Sequence, residues 1–396
     1  MKGRIPSALV GMLLVGQVTG AAAIPSWARK YNMNCSGCHY PAAPRLNATG
    51  QQFRWAGYRM PDEIGENAEM DRVSNYLATR FRFRYVYAKP SGQSASLSEF
   101  QLPDASIFYA GAFGKNFGGL LEAAKEEEET EFGASVFGVW GSERSHGGIR
   151  LGQTHMLLNA GVAGFDRVVG INNPTPVGGA VTRAIPFSFA GDQAGVDAFY
   201  VVGRNRLSVQ LCNGNVPGEE GLARGGKRKD VVLTDQLLWD KNGGGLQGLF
   251  YYGTVTGLDT ALADQASHFW RLGLSASKVV SNLEVLGGLV YGKDVDLPIG
   301  GSLPFTASQS KGYGYWFSGQ YVVPNSSLTF YGRYEFVDPD ADASDDATRR
   351  YVLGSLLPVN LPEYLRLNVE FWRDNPQDGT GGVAQNNLAA EVMLTF

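Results

Sequence analysis

Five consecutive residues stand out for their chemistry: Cys35-Ser-Gly-Cys38-His39, inside NCSGCHY at residues 34–40. Cys-x-x-Cys-His is the attachment sequence of c-type haem. Each thiol adds to a haem vinyl group, and the adjacent histidine offers a proximal nitrogen to the iron. Other uses of two such cysteines fit less well. A thioredoxin-like pair needs a βαβ setting, which the flanking sequence lacks. A structural zinc site needs four ligands, and only His39 stands near the thiols. The residues therefore predict one covalently bound haem c, with Cys35 and Cys38 as its attachment points and His39 as an axial ligand.

The second axial ligand is less marked. Met60, in Gly57-Tyr-Arg-Met-Pro61, follows His39 by a short helix and a turn, and thioether ligation raises a haem potential. Met70 is the next choice, and an open or water-bound position is the rival to both. Met33 lies too close to the attachment turn to reach round the ring. His146, His155 and His268 would reach the iron only from a wall that faces it. Cys212 is left over once the haem takes two thiols, and reads as buried filler.

The elements that must position this motif come from an unusual composition. The chain has 52 glycines among 396 residues, nearly twice the usual share of ~7%. Aromatics make up 12%, which excludes a disordered chain. A net charge of −4 leaves no basic footprint for nucleic acid. Residues 1–23 read as an export signal: Lys2 and Arg4 begin it, Ala8 to Val18 form a short apolar run, and Ala21-Ala22-Ala23 offer small residues for cleavage. No stretch reaches the ~20 apolar residues of a membrane-spanning helix, but an exported chain can also enter a membrane as a closed barrel.

From about Asn75 onward, apolar and polar residues alternate with period two. Phe81, Phe83, Tyr85 and Tyr87 share one face, opposite Arg80, Arg82 and Arg84. Leu328, Phe330, Tyr334 and Phe336 alternate with Thr329, Tyr331, Arg333 and Glu335, and Leu365, Leu367, Val369 and Phe371 with Arg366, Asn368, Glu370 and Trp372. Many segments match the ~9–11 residues of a transmembrane strand rather than the ~5–6 of a soluble one. Leu388, Ala390, Val392, Leu394 and Phe396 share a face, an ending like the terminal strand of bacterial outer-membrane barrels. Seventeen stretches between Tyr76 and Phe396 qualify as strands, the weakest around Val181–Ala190. Single-chain barrels have even counts, so sixteen are expected, with both barrel ends in the periplasm.

The expected architecture is thus mainly β. An outer-membrane antiparallel β-barrel of about sixteen strands occupies residues 75–396, and a small monohaem cytochrome c-like unit at 24–74 precedes it. Three irregular stretches read as long outward loops: Asp166 to Gln193, which could fold inward as a constriction, Asn213 to Asp230, and Val337 to Arg350. The last carries Asp338, Asp340, Asp342, Asp345 and Asp346, which read as solvated loop charge, with attraction of external cations as the sharper alternative. Arg80, Arg82 and Arg84 read as pore lining, with pairing to haem propionates as the alternative.

Residues 25–58 also resemble a known family. Pro25-Ser-Trp-Ala-Arg29, Met33-Asn-Cys35-Ser-Gly-Cys38-His39, Pro44-Arg-Leu46, Gly50, Phe53 and Gly57-Tyr58 match the N-terminus of the fused monohaem cytochrome–porins of iron-oxidising bacteria. Trp27 stands where that family has Phe. The resemblance implies that the cytochrome unit plugs the barrel. It further implies an outer-membrane electron conduit that oxidises extracellular Fe(II) and passes electrons to a periplasmic cytochrome. Because related cytochrome–porins occur outside iron oxidisers, electron transfer is implied more firmly than Fe(II). The alternatives are outward transfer to an external acceptor, or a diffusion porin with a haem-bearing plug.

Overall fold

The computed structural model describes residues 26–41, 45–126, 129–155, 165, 169–189, 191–214, 229–256, 266–298, 308–360, 364–377 and 382–396. The expected export signal, Pro44 and most of the 213–230 loop lie outside the described residues, as does the side chain of His155. No helix among the described residues is long and apolar enough to cross a membrane. Strands provide the crossing instead.

Sixteen strands follow one another along the chain. They begin with β1 (Leu77–Pro90), β2 (Leu97–Phe113), β3 (Phe117–Glu126), β4 (Glu129–Ser142), β5 (Ser145–His155) and β6 (Asp192–Val202). Next come β7 (Asn205–Cys212), β8 (Asp230–Leu238), β9 (Gly245–Thr256), β10 (Ala266–Val280) and β11 (Leu283–Val295). The last are β12 (Gln309–Val322), β13 (Thr329–Asp338), β14 (Thr348–Asn360), β15 (Tyr364–Pro376) and β16 (Gln385–Thr395). Each pairs antiparallel with its neighbour, and β16 returns to β1, placing Phe83 opposite Val392 and Arg84 opposite Glu391. Closure leaves no unpaired edge, which a strand in lipid requires.

The two faces are inverted relative to a soluble protein. Outward side chains are large, apolar and exposed: Phe100 at 71%, Phe132 at 72% and Leu353 at 66%. Inward ones are polar and buried, among them Asp104, Gln236, Arg271 and Glu370. Such an exterior is stable only against hydrocarbon. An eleven-residue strand such as β6 extends ~36 Å and, tilted by ~45°, covers about 25 Å, the height of the apolar band of such barrels. No connection at the end where β1 begins exceeds six residues, and all the longer ones lie at the other end. In outer-membrane barrels the short turns face the periplasm.

Of the seventeen candidate stretches, the one at 181–189 is not a strand. It belongs to the β5–β6 connection, which folds inward as the sequence suggested. Alternation holds only from Ile185 to Phe189, where Ile185, Phe187 and Phe189 are buried and Pro186 and Ser188 are not, and the apolar side packs on the inner wall rather than lipid. Pro186 also removes a ladder donor from the middle of the run.

Two separate parts of the chain therefore enter the lumen. From the periplasmic mouth comes the segment before β1, with helices α1 (Ser26–Tyr31) and α2 (Ala48–Trp55). From the opposite end comes the β5–β6 loop, with the single turn α3 (Thr175–Gly178).

Candidate haem site at the barrel mouth

The Cys-x-x-Cys-His residues form a short 3-10 turn at Cys35–Gly37. The Cys38 and His39 amides both donate to the Cys35 carbonyl, at 3.1 and 2.9 Å. Helical spacing of three and four residues then sets Cys35, Cys38 and His39 on one side of the turn. The thiols are not joined in a disulfide. Burial pushes the Cys35 thiol up to about 11 and raises that of Cys38 as well. A thioredoxin-type pair needs the opposite, a thiol made acidic by its surroundings.

His39 Nδ1 lies 3.0 Å from the Arg45 carbonyl. A carbonyl only accepts, so Nδ1 carries the proton and Nε2 the lone pair. That is the tautomer a metal-bound histidine adopts when a backbone carbonyl holds its other nitrogen. The donor set therefore suits a covalently attached haem: two thiols not joined in a disulfide, three positions apart on one turn, and an imidazole whose Nδ1 proton is held by a backbone carbonyl.

Asn47, which sequence reasoning passed over, organises this turn. Its Nδ2 donates to the Ser36 and Gly37 carbonyls at 3.1 and 3.0 Å, and its amide donates to the Cys38 carbonyl at 2.9 Å. Its Oδ1 caps α2 by accepting from the Gly50 amide at 3.0 Å. The signal was present as an Asn-Ala-Thr-Gly helix start. Gly50 is required by contact, because a Cβ there would sit 2.3 Å from the Cys38 carbonyl oxygen.

The unit is fastened to the barrel wall. Arg45 is almost fully buried, its Nε 3.1 Å from both carboxylate oxygens of Glu284 on β11, and its Nη2 donates to Ser277 of β10 at 3.1 Å. The residue whose carbonyl orients His39 is thus ion-paired to the barrel. Arg59, also buried, donates at 2.6 Å to the carbonyls of Lys115 and Phe117 in the β2–β3 turn. Trp27 Nε1 donates to the Ala110 carbonyl at 3.1 Å. Gly57 takes a φ of +74° against this wall, with its carbonyl oxygen only 2.0 Å from where a Cβ on Gly118 would stand. The Gly-Tyr pair thereby turns Tyr58 onto Phe137, edge to face at 5.2 Å.

The proposed ligands fall on different walls. Met60 packs in an aromatic cluster with Trp27, Tyr31 and Tyr58 against Phe137 and Val139 of β4 and Phe199 of β6. Cys35 instead packs against Tyr364 and Met393, at the periplasmic ends of β15 and β16. Met70 is half exposed and its sulfur accepts from Tyr109 at 3.7 Å. His268 stacks on Tyr252, on the strand face opposite the buried Phe269 and Arg271, so it faces away from the lumen. His146 is buried on the inner wall beside the β4–β5 turn. Cys212 is buried inward among Phe165, Phe187, Phe189 and Tyr251, as filler.

The β1 arginines line the lumen and are engaged by carboxylates. Arg80 pairs with Asp104 and Glu122, Arg82 with Asp104, and Arg84 with Glu391, which Arg366 also holds at 2.7 Å. This is a charged pore lining rather than a vacant anion cradle. At the far end, the loop carrying the aspartates folds over the inward loop, where the Arg183 amide donates to the Pro339 carbonyl at 3.0 Å. Burial, with Asp338 and Asp340 nearby, raises the Asp346 carboxyl. No cluster of three or more metal-ligating side chains occurs among the described residues.

No family model matches the chain, and no curated protein matches it in sequence. Its fold does have solved counterparts. An anion-selective porin from Comamonas acidovorans superposes with a TM-score of 0.56 at 12% identity, covering 81% of this chain and 98% of that one. OmpF of Salmonella typhi, solved with daunomycin, gives 0.56 at 13% identity, with 81% and 97% covered. OmpT of Vibrio cholerae gives 0.54 at 9% identity, again with 81% and 97% covered. At these identities the likeness is one of fold, and it extends over nearly the whole of each porin. A closed sixteen-strand barrel, lipid-facing outside and polar within, makes this chain an outer-membrane β-barrel with the fold of the bacterial porins.

Proposed function

We propose that this barrel is an outer-membrane electron conduit with one haem c at its periplasmic mouth, taking electrons from external Fe(II) and passing them to a periplasmic cytochrome. The observation that carries this reading is the seating of the Cys35–His39 turn. It does not hang from a linker. Its orienting residue, Arg45, is ion-paired to Glu284 of the wall, and Cys35 lies against β15 and β16. Cys35 and Cys38 would hold the haem, and His39 Nε2 would ligate its iron. Bound there, the haem supplies one-electron exchange.

The chain's own residues would do the rest. The Arg45 carbonyl keeps the His39 proton on Nδ1, and Asn47 holds the turn in shape. Tyr364 and Met393 keep water from the Cys35 edge. Because the turn lies at the periplasmic end of the strands, an external donor has to come down the lumen. The part-exposed Arg80, Arg82 and Glu122 give that route a polar wall. The β5–β6 loop packs against other strands, β7 to β15. Oxidised iron formed in the lumen would remain on the outer side of the N-terminal unit, and a periplasmic cytochrome would dock at the mouth.

The porin neighbours favour a second reading, a diffusion porin whose haem-bearing unit occludes the mouth. Purified protein in liposomes, oriented with loops outward and with cytochrome c and a small dye enclosed, separates the two. Reduction of the enclosed cytochrome by external Fe(II), with the dye retained, is the expected result. Dye leakage without reduction would leave only the diffusion porin. A haem potential too low for Fe(II) to reduce it would turn the direction outward.

A further inference from the structure

The wall beside the attachment turn contains a residue that chain position hides. Met393 is on the inner face of β16, three residues from the end of the sequence, and only 7% exposed. With Tyr364 it forms the small apolar cluster on which Cys35 packs. Its neighbours in register are Arg82 on β1 and Arg366 on β15. Both arginines are tied to carboxylates, Arg82 to Asp104 and Arg366 to Glu391, so the thioether lies in an otherwise charged, hydrogen-bonded strip. Within that strip Met393 and Tyr364 are the apolar side chains that meet Cys35. The methionine is soft, unbranched and able to sweep through three rotatable bonds.

We infer that Met393, from the barrel wall, is the second axial ligand of the haem proposed above, completing a His39/Met393 pair. The inference rests on covalent haem at Cys35 and Cys38. A residue packed on Cys35 is a residue at the haem edge, because that thiol becomes the bridge to the macrocycle. Met60, the choice from sequence order, is held instead in the aromatic cluster against β4 and β6. Met33 is spent on the turn itself, its methyl lying 2.6 Å from where a Cβ on Gly37 would stand. Among the described residues, Met70 is half exposed with its sulfur accepting from Tyr109, and His146 has a buried Nε2 with no hydrogen-bond partner but stands on β5 beside the same distant wall. With Met393 as ligand, the barrel and the N-terminal unit each supply one axial bond. The iron centre is then complete only when the unit is docked, and its potential is raised by the thioether.

The test is spectroscopic, on full-length protein purified from outer membranes. Haem content is measured by pyridine haemochrome, and barrel assembly by heat-modifiable mobility on gels. Ferric wild-type protein is expected to show the weak far-red charge-transfer band of His/Met ligation. Met393→Leu, which keeps the volume, should abolish the band, make the ferric haem high-spin and lower its potential at unchanged haem content. Met60→Leu should leave all three as they were. Should Met393→Leu fail to assemble, the upfield-shifted methyl resonance of a ligated methionine is read in reduced wild-type protein, and its persistence in Met60→Leu and Met33→Leu is the expected result. A band that survives Met393→Leu, or disappears in Met60→Leu, overturns the inference, as does a wild-type ferric spectrum that is high-spin or bis-histidine. A wild-type protein without covalent haem overturns the underlying reading instead, so the two failures are distinguishable.

Discussion

The two segments that enter the lumen are held there in opposite ways. The β5–β6 loop is gripped by the wall: Glu370 accepts from the Ile171 amide and the Asn172 side chain at 2.9 and 2.7 Å, Glu335 from the Thr175 amide at 2.7 Å, and Asp294 from the Ile185 amide at 3.0 Å. Most of these bonds go to loop backbone, so they depend little on which side chains the loop carries. The N-terminal unit grips the wall instead, through a few long side chains, chiefly Arg45 and Arg59. A segment pinned by many backbone bonds yields gradually. One docked chiefly by two buried cations and an aromatic cluster is loosened sharply when either cation loses its partner.

The largest expected effect follows from that contrast. Glu284→Ala leaves the Arg45 guanidinium buried without its counter-charge, which costs about 3–5 kcal/mol. Hydrogen exchange of residues 35–58 should rise by orders of magnitude while the β5–β6 loop stays protected and the barrel still runs as a heat-modifiable band. Equal deprotection of both segments would erase the distinction. Glu370→Ala, on the loop side, removes two charge-assisted bonds to the loop, at about 3 kcal/mol in all, and a third from Tyr331. It should increase small-solute flux in liposomes with the N-terminal unit still protected. Unchanged flux would show that the loop does not limit passage.

A smaller effect is expected at Asn47. Asn47→Ala loses the α2 cap, about 1 kcal/mol, together with the two bonds to the Ser36 and Gly37 carbonyls. Asn47→Asp restores the cap but not those donors. If haem attachment recovers with Asp, capping alone matters; recovery of stability without attachment assigns the turn to Nδ2. The smallest effect concerns the outer loop. The raised Asp346 carboxyl contributes stability that is fully present below its usual value of 3.8 and lost as pH rises through its folded value. Asp346→Asn should therefore hold the 339–347 turn more firmly at neutral pH and remove its acid dependence, as read by proteolysis of that loop across pH.

The barrel was legible because its signal is local. Phe81, Phe83, Phe330 and Leu367 alternate with charged or polar residues over distances a short window can see, and the structure puts them all outward. The stretch at 181–189 misled only partly, since its period-two pattern marks two environments without saying that one of them is lipid. The Cys35–His39 spacing was equally local. What could not be read were pairings across the closed sheet. Arg45 and Glu284 stand 239 positions apart, and Arg45 occupied the unspecified middle of Pro44-Arg-Leu46. Met393 sits in a strand whose visible pattern, from Leu388 to Phe396, describes only its outer face. A residue whose importance lies in what the opposite end of the chain brings to it leaves no periodic trace.

The intact mass of the mature protein, isolated from outer membranes, decides whether Cys35 and Cys38 carry haem. The wild-type chain is expected to be heavier by one haem, and Cys35→Ser/Cys38→Ser by none, with the haem-bearing peptide confined to the segment containing residues 35–39. A wild-type mass equal to that of the polypeptide alone would contradict that expectation, and would leave a porin-like barrel whose mouth is filled by a unit without a redox centre.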